Sequence, residues 1–229
     1  MKVNFKARPR VEMINENIPM LVIDDFYEDP LEVRKQALKG YFERSEAGYP
    51  GRHEPLDINN DDVLLSMTFL REVIRIASNS DFPMEMVSTD FSLLTTPSTS
   101  VLKNQSHPHT DGVALAGIVY LNETSMGGTC FYENTILNSC VLNSENEADY
   151  DRLRENQNLK ETSGYVSSDF DMWKLVHKTE GKFNQLVMYV GNVFHSVSVT
   201  SEPDPTNLNT ARLTQRIFVE TVAPVMGEE

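Results

Sequence analysis

The sequence predicts a mostly β protein with flanking α-helices: an antiparallel sandwich or barrel with a helical segment ahead of it. Three observations carry this. From Met84 onward, short β-prone runs alternate with turn residues. Before Met84, apolar residues recur twice at helical spacing. The length of 229 residues, with 40% hydrophobic and 24% charged residues, is that of one globular domain and excludes a disordered or fibrous chain.

The elements follow in chain order. PMLVIDDF, Pro19 to Phe26, reads as a buried strand ending at paired aspartates. A helix follows, with Asp29 as cap, Pro30 in the first helical position and Leu31, Val33, Ala37, Leu38 and Phe42 as its apolar stripe. The segment AGYPGRHEPLDINN reads as a loop with a Pro-Gly turn. A second helix from about Asp61 to Ala77 carries Val63, Leu64, Met67, Phe69, Leu70, Val73 and Ile74 on a broad face. Beyond Met84 the expected strands are MVSTDFSLLT, SVLKN, ALAGIVYLN, GTCFYE, QLVMYV, VFHSVSVT and ARLTQRIFVET. Residues 143–182 interrupt them with a polar stretch longer than a hairpin loop needs, and a short helix is expected at DFDMWKLVHK. The chain therefore divides into a supporting strand and helices (1–83), a β core (84–222) and an insertion (143–182) within one domain.

A formal charge of −14 repels phosphate backbones and anionic lipid, which excludes nucleic acid and membrane surfaces as expected partners. The N-terminal MKVNFKARPRVEM has no apolar core of a signal peptide, and no run approaches the roughly 20 apolar residues of a membrane helix, so a cytoplasmic protein is expected. Cys130 and Cys140 are too few for a disulfide framework and read as buried thiols.

The chemistry concentrates in SHPHTDG, Ser106 to Gly112. In an extended segment residues i and i+2 share a face, so His109 and Asp111 can reach one metal ion, with His107 on the same face. Pro108 favours extended backbone before it. His-x-Asp alone is weak, because it arises by chance in many proteins and a polar surface loop accounts for it more often than a metal site does. Farther on, YLNETSMGGTCFY gives strand, Gly-Gly turn, strand; YVGNVFHSVSV places His195 inside a β-prone run; and RLTQRIFVE places Arg212, Thr214 and Arg216 on one face. Two arginines on one face of an apolar strand are costly to bury without an anion.

This order of His-x-Asp, YLN, Gly-Gly hairpin, strand His and Arg strand resembles the 2-oxoglutarate- and Fe(II)-dependent oxygenases, especially their prolyl-hydroxylase-like branch, over roughly Met84 to Val222. The resemblance implies a double-stranded β-helix, or jelly roll, with the N-terminal helices packed on it. It implies His109, Asp111 and His195 as the ligands of Fe(II), a facial triad that leaves positions open for 2-oxoglutarate and O2. It implies Arg212 as the residue pairing with the far carboxylate of 2-oxoglutarate, with Arg216 as its competitor, and Tyr120 and Thr129 as hydroxyl contacts. The implied activity is hydroxylation of a small-molecule or amino-acid/peptide substrate, with release of succinate and CO2. His107 is a rival ligand at a spacing the family does not use. DDFYEDPLEVRKQA and YPGRH resemble a bacterial subgroup of these oxygenases, from which no substrate follows. Tyr165, Phe170 and Trp173 are candidates for an apolar lid, and Arg52 and His53 for contacts to a carboxylate-bearing substrate.

Three other readings stay open on the residues alone: a cupin-like metalloenzyme without 2-oxoglutarate, a non-enzymatic barrel serving as scaffold, and a zinc hydrolase, although no H-E-x-x-H motif is present.

Overall fold

The computed structural model describes residues 1–44, 48–80, 83–159 and 161–221. Ala47 at the start of the expected loop, Lys160 in the insertion and Val222 at the end of the expected core lie outside the described residues. Strands β1 (Pro9–Met13) and β2 (Pro19–Ile23) pair as a hairpin. Helix α1 (Pro30–Ala37) starts where expected, with Asp29 accepting from the Glu32 amide and Pro30 in its first turn. Two short strands follow, β3 (Glu43–Arg44) and β4 (Gly51–Pro55), where sequence predicts only a loop. Their Gly, Pro and charged residues carry no strand pattern; pairing with the strand beyond α2 imposes it. Helix α2 (Asp61–Ser78) is capped by Asn60 and ends at Asn79, whose φ of 49° is left-handed.

The β core runs β5 (Met84–Leu94), a single helical turn α3 (Lys103–Ser106), β6 (Leu115–Tyr120) and β7 (Thr129–Asn134). It continues with α4 (Glu147–Glu155), β8 (Trp173–Lys178), β9 (Leu186–Val190), β10 (His195–Val197) and β11 (Arg212–Thr221). An eight-stranded antiparallel sheet has the order β1-β2-β9-β6-β11-β5-β4-β3, and a three-stranded sheet the order β10-β7-β8. The two sheets enclose one apolar cluster that includes Val22, Ala116, Phe131, Val187 and Tyr189. A second cluster joins Val33 and Ala37 of α1 and Met67, Leu70 and Val73 of α2 to Leu93, Val119, Leu186 and Leu213 of the large sheet. A third joins Tyr150 of α4 to Tyr132 and Trp173 on the small sheet and to Phe194 just ahead of β10. Among the described residues no helix is long and apolar enough to cross a membrane. Cys130 and Cys140 are buried free thiols.

Three local expectations are corrected. SVLKN is not a strand: Leu102 makes one isolated bridge and Lys103–Ser106 form α3. DFDMWKLVHK is not a helix: Asp171 turns the chain at φ 46° and Trp173–Lys178 pair with β7, covering an edge that would otherwise be open. The helix of the insertion is α4, in the stretch read as merely polar. It buries only Tyr150 and so shows no apolar stripe, and it is marked instead by Glu147 and Asp149 in its first turn and Arg152 and Arg154 in its last.

Candidate metal centre

His195 opens β10 on the small sheet, and its backbone is tied to the segment ahead of β6. The His109 amide donates to the His195 carbonyl at 2.9 Å, and the His195 amide donates back to His109 at 3.0 Å. Two residues on, the Asp111 amide donates to the Gly191 carbonyl at 2.8 Å, which stitches the same segment to the end of β9. Gly191 permits that approach, because a Cβ there would lie 2.2 Å from the Val113 carbonyl oxygen.

These ties bring His109, Asp111 and His195 together, one ligand atom from each lying within 4.8 Å of the others. His195 Nε2 is 3.2 Å from Asp111 Oδ2, and His109 Nε2 is 3.9 Å from Asp111 Oδ1. His195 Nδ1 lies 2.9 Å from the Val193 carbonyl and His109 Nδ1 3.3 Å from the His107 carbonyl. A carbonyl only accepts, so each Nδ1 carries the hydrogen, and both Nε2 atoms face the carboxylate. Burial alone would raise Asp111, but the adjacent imidazoles, His195 foremost, hold it below the usual carboxylate range. Burial would lower His195, and the Asp111 charge reverses that and raises it. His109 is pushed down to about 4, by the surrounding protein and by the charge of His195. Its ring is nonetheless 48% exposed, on the side that opens to a cavity.

That cavity, of about 480 Å³, lies between the sheets and is floored by β11. Alternation along the strand turns Leu213, Gln215 and Ile217 away from the side where Arg212, Thr214, Arg216 and Phe218 line the cavity. Arg212 is 6% exposed; its Nε donates to the Gly127 carbonyl at 3.1 Å and its Nη2 to Gly128 at 2.9 Å. Its Cζ stands 5.5 Å from the Tyr120 ring centre, and among the described residues no carboxylate pairs with it. Arg216 is a different case: Asp90 on β5 takes its Nε and Nη2 at 3.0 and 2.7 Å, and His53 Nδ1 lies 3.2 Å from Nη2. Thr129 lines the cavity, whereas Tyr120 is sealed beneath it, its hydroxyl 2.9 Å from both Thr129 and Thr179. The Gly127–Gly128 turn must lack side chains, since a Cβ on Gly128 would sit 2.3 Å from the Thr179 carbonyl oxygen.

His107 does not join the cluster, although an extended register put it on the same face. It caps α3, packs edge-on to Phe170 at 5.1 Å and is held down in pKa by burial. Tyr165, Phe170 and Trp173 do not line the cavity: Phe170 and Trp173 pack with Tyr132, and the Tyr165 hydroxyl donates to Thr96. Arg52 is exposed, while His53 reaches the site through Arg216.

Sequence reasoning missed Tyr49, Asp90 and Tyr189. Tyr49 and Tyr189 line the cavity with buried hydroxyls that have no partner among the described residues. An aspartate inside the β-prone STDFSLL was the available signal for Asp90, because a charge in a buried strand requires a partner.

The profile of a family described as a family of unknown function (DUF6445) matches residues 5–219. No curated protein matches the sequence. Among solved structures, HygX from Streptomyces hygroscopicus with nickel and 2-oxoglutarate bound is 13% identical, with a TM-score of 0.50 over 89% of this chain and 83% of that one. The iron-bound form of HygX is 14% identical, with a TM-score of 0.50 over 89% and 82%. A Trichoplax adhaerens prolyl hydroxylase in complex with a hypoxia inducible factor oxygen degradation domain peptide fragment is 11% identical, with a TM-score of 0.50 over 88% and 83%. At such identities the likeness is one of fold, shared with HygX and with the prolyl hydroxylase.

Proposed function

From the premise that the chain belongs to the family of unknown function DUF6445, we propose that it is a non-haem Fe(II)- and 2-oxoglutarate-dependent oxygenase that hydroxylates a C–H bond of a small-molecule or amino-acid/peptide substrate. The observation that carries this is the convergence of His109, Asp111 and His195, with ligand atoms within 4.8 Å, on a cavity that also holds an arginine without a carboxylate partner.

The donor set fits the metal. Two imidazole Nε2 atoms and one carboxylate form a three-ligand face that suits Fe(II) and leaves room for other ligands. The hydrogen bonds from each Nδ1 to a backbone carbonyl hold both rings in the tautomer that metal binding needs. Zn(II) would accept the same three ligands; Arg212 in the same cavity favours a 2-oxoglutarate enzyme over a hydrolase. When bound, iron with 2-oxoglutarate and O2 supplies the oxidising chemistry, releasing succinate and CO2 as the substrate carbon is oxidised.

The chain supplies binding and geometry. Arg212 holds the far carboxylate of 2-oxoglutarate, and the Gly127 and Gly128 carbonyls and the Tyr120 ring fix its direction. Thr129, oriented by Tyr120, offers a hydroxyl to the same carboxylate. The Tyr189 hydroxyl, buried and without a partner among the described residues, gains a hydrogen bond when a ligand oxygen enters; leaving such a group unsatisfied costs about 1–3 kcal/mol. Asp111, held charged, stabilises the divalent ion. Residues 1–83 act as support for the 84–222 core. A cytoplasmic setting keeps the Cys130 and Cys140 thiols reduced.

The test is turnover of 2-oxoglutarate. Fe(II)-loaded protein should form succinate slowly even without a substrate, and Asp111→Ala should form none. Metal binding with no succinate would favour the cupin-like reading instead.

A further inference from the structure

We propose that Arg216 is an anion subsite beside the metal centre, and that the substrate carries a carboxylate, or an equivalent planar oxyanion, which Arg216 holds. This rests on the oxygenase reading above and deepens it.

Arg216 is built as a receptor. Its guanidinium packs on two rings, with Cζ 5.2 Å from the centres of both Tyr49 and Phe218. Asp90 saturates one edge through Nε and Nη2, and Asp90 is itself fixed by the Ser92 hydroxyl at 2.6 Å and by His53 at 3.4 Å. A salt bridge serving the fold alone would be complete at that point. Nη1, however, has no hydrogen-bond partner among the described residues, on a side chain that lines the cavity. The Tyr49 hydroxyl beside it is buried and equally without a partner. One edge held and one end open is the geometry of a preorganised arginine, whose order is set before the ligand arrives.

The position separates this subsite from the co-substrate. Arg212 and Arg216 are four residues apart on one face of β11, about 13 Å along a strand rising about 3.3 Å per residue. A five-carbon dicarboxylate that spans from the metal to Arg212 leaves Arg216 to another ligand. Arg216 lines the same cavity as His109 and Asp111, so a ligand it holds shares that cavity with the metal centre. The chain also departs here from its overall charge: within a molecule of net charge −14, this cavity gathers two guanidiniums.

The test uses acetate as the smallest carboxylate and acetamide as its neutral isostere, with Zn(II) as a redox-inert metal and saturating 2-oxoglutarate. The Arg216 Nε–H signal is followed by NMR and assigned by its loss in Arg216→Lys. Acetate should move it saturably and bind at least tenfold more tightly than acetamide, and Tyr49→Phe, which leaves the Asp90 clamp intact, should weaken acetate severalfold. Acetate binding that leaves the Arg216 signal unmoved, or an acetamide response equal to that of acetate, overturns the proposal. If 2-oxoglutarate itself moves the signal and acetate competes with it, Arg216 anchors the co-substrate: the subsite is overturned and the oxygenase reading stands. If 2-oxoglutarate binds nowhere while acetate still moves Arg216, the oxygenase reading fails and the anion subsite remains.

Discussion

Each histidine of the cluster hydrogen-bonds a carbonyl two residues upstream in its own segment, Val193 for His195 and His107 for His109. Ring orientation is therefore a backbone property, and the expected effect of side-chain changes is local. His195→Ala should lose metal affinity by tenfold or more while its circular dichroism stays native, since β10 keeps its pairing with β7; isothermal titration with Fe(II) under anaerobic conditions measures this. Arg212→Gln should leave metal affinity unchanged and weaken 2-oxoglutarate by roughly 10- to 150-fold, corresponding to about 1.5–3 kcal/mol for hydrogen bonds to a charged group. If Arg216→Gln has that effect instead, the two arginines exchange roles. The residues of the cluster were legible only through the resemblance carried by the order of motifs, because His-x-Asp and a strand histidine are each weak signals alone. Tyr49 and Tyr189 were not, because a tyrosine in a loop or a strand is ordinary until its hydroxyl is found buried without a partner.

Elements were legible where local and tertiary signals agree. α1 and α2 carry both a cap and an apolar stripe, and both form where expected, although α1 ends at Ala37, before Leu38 and Phe42, and Leu31 and Leu64 face outward. Asn60→Ala removes the side chain that accepts from the Asp62 amide and should lower stability by about 1 kcal/mol, measured by urea denaturation, with metal affinity unchanged. β4 and β8 were missed for the opposite reason: each is made by its partner, β4 by β5 and β8 by β7. α4 was missed because a helix anchored by one buried tyrosine has no stripe to read. β11 joins the two levels, since its strict alternation gives one face to the core and the other to the cavity.

In the whole molecule, the buried pair of Asp90 and Arg216 links the site to global stability. Burial would raise Asp90, but hydrogen bonds from His53 and Arg216 and the Arg216 charge hold it below its ordinary value. A depressed carboxylate contributes stability that is present above its unfolded pKa of about 3.9 and is lost as pH falls through the folded value. Thermal unfolding followed against pH should therefore show wild type losing stability below about pH 4, and Asp90→Asn should show a shallower loss there. At neutral pH Asp90→Asn should be less stable by about 3–5 kcal/mol, because it leaves the Arg216 charge without its partner. The antiparallel β core was legible from the rhythm of strands and turns, whereas the stitching of the His109 segment to β10 and β9 was not, because it joins distant parts of the chain by backbone alone.

One titration bears on the oxygenase reading most directly: apoprotein under anaerobic conditions, Fe(II) added first and 2-oxoglutarate second, followed by visible absorption. A weak charge-transfer band that appears on adding 2-oxoglutarate, and is absent in His195→Ala, is the expected result. Iron binding without a band, or a band that persists in His195→Ala, would contradict the assignment of His109, Asp111 and His195 as the centre of a 2-oxoglutarate enzyme.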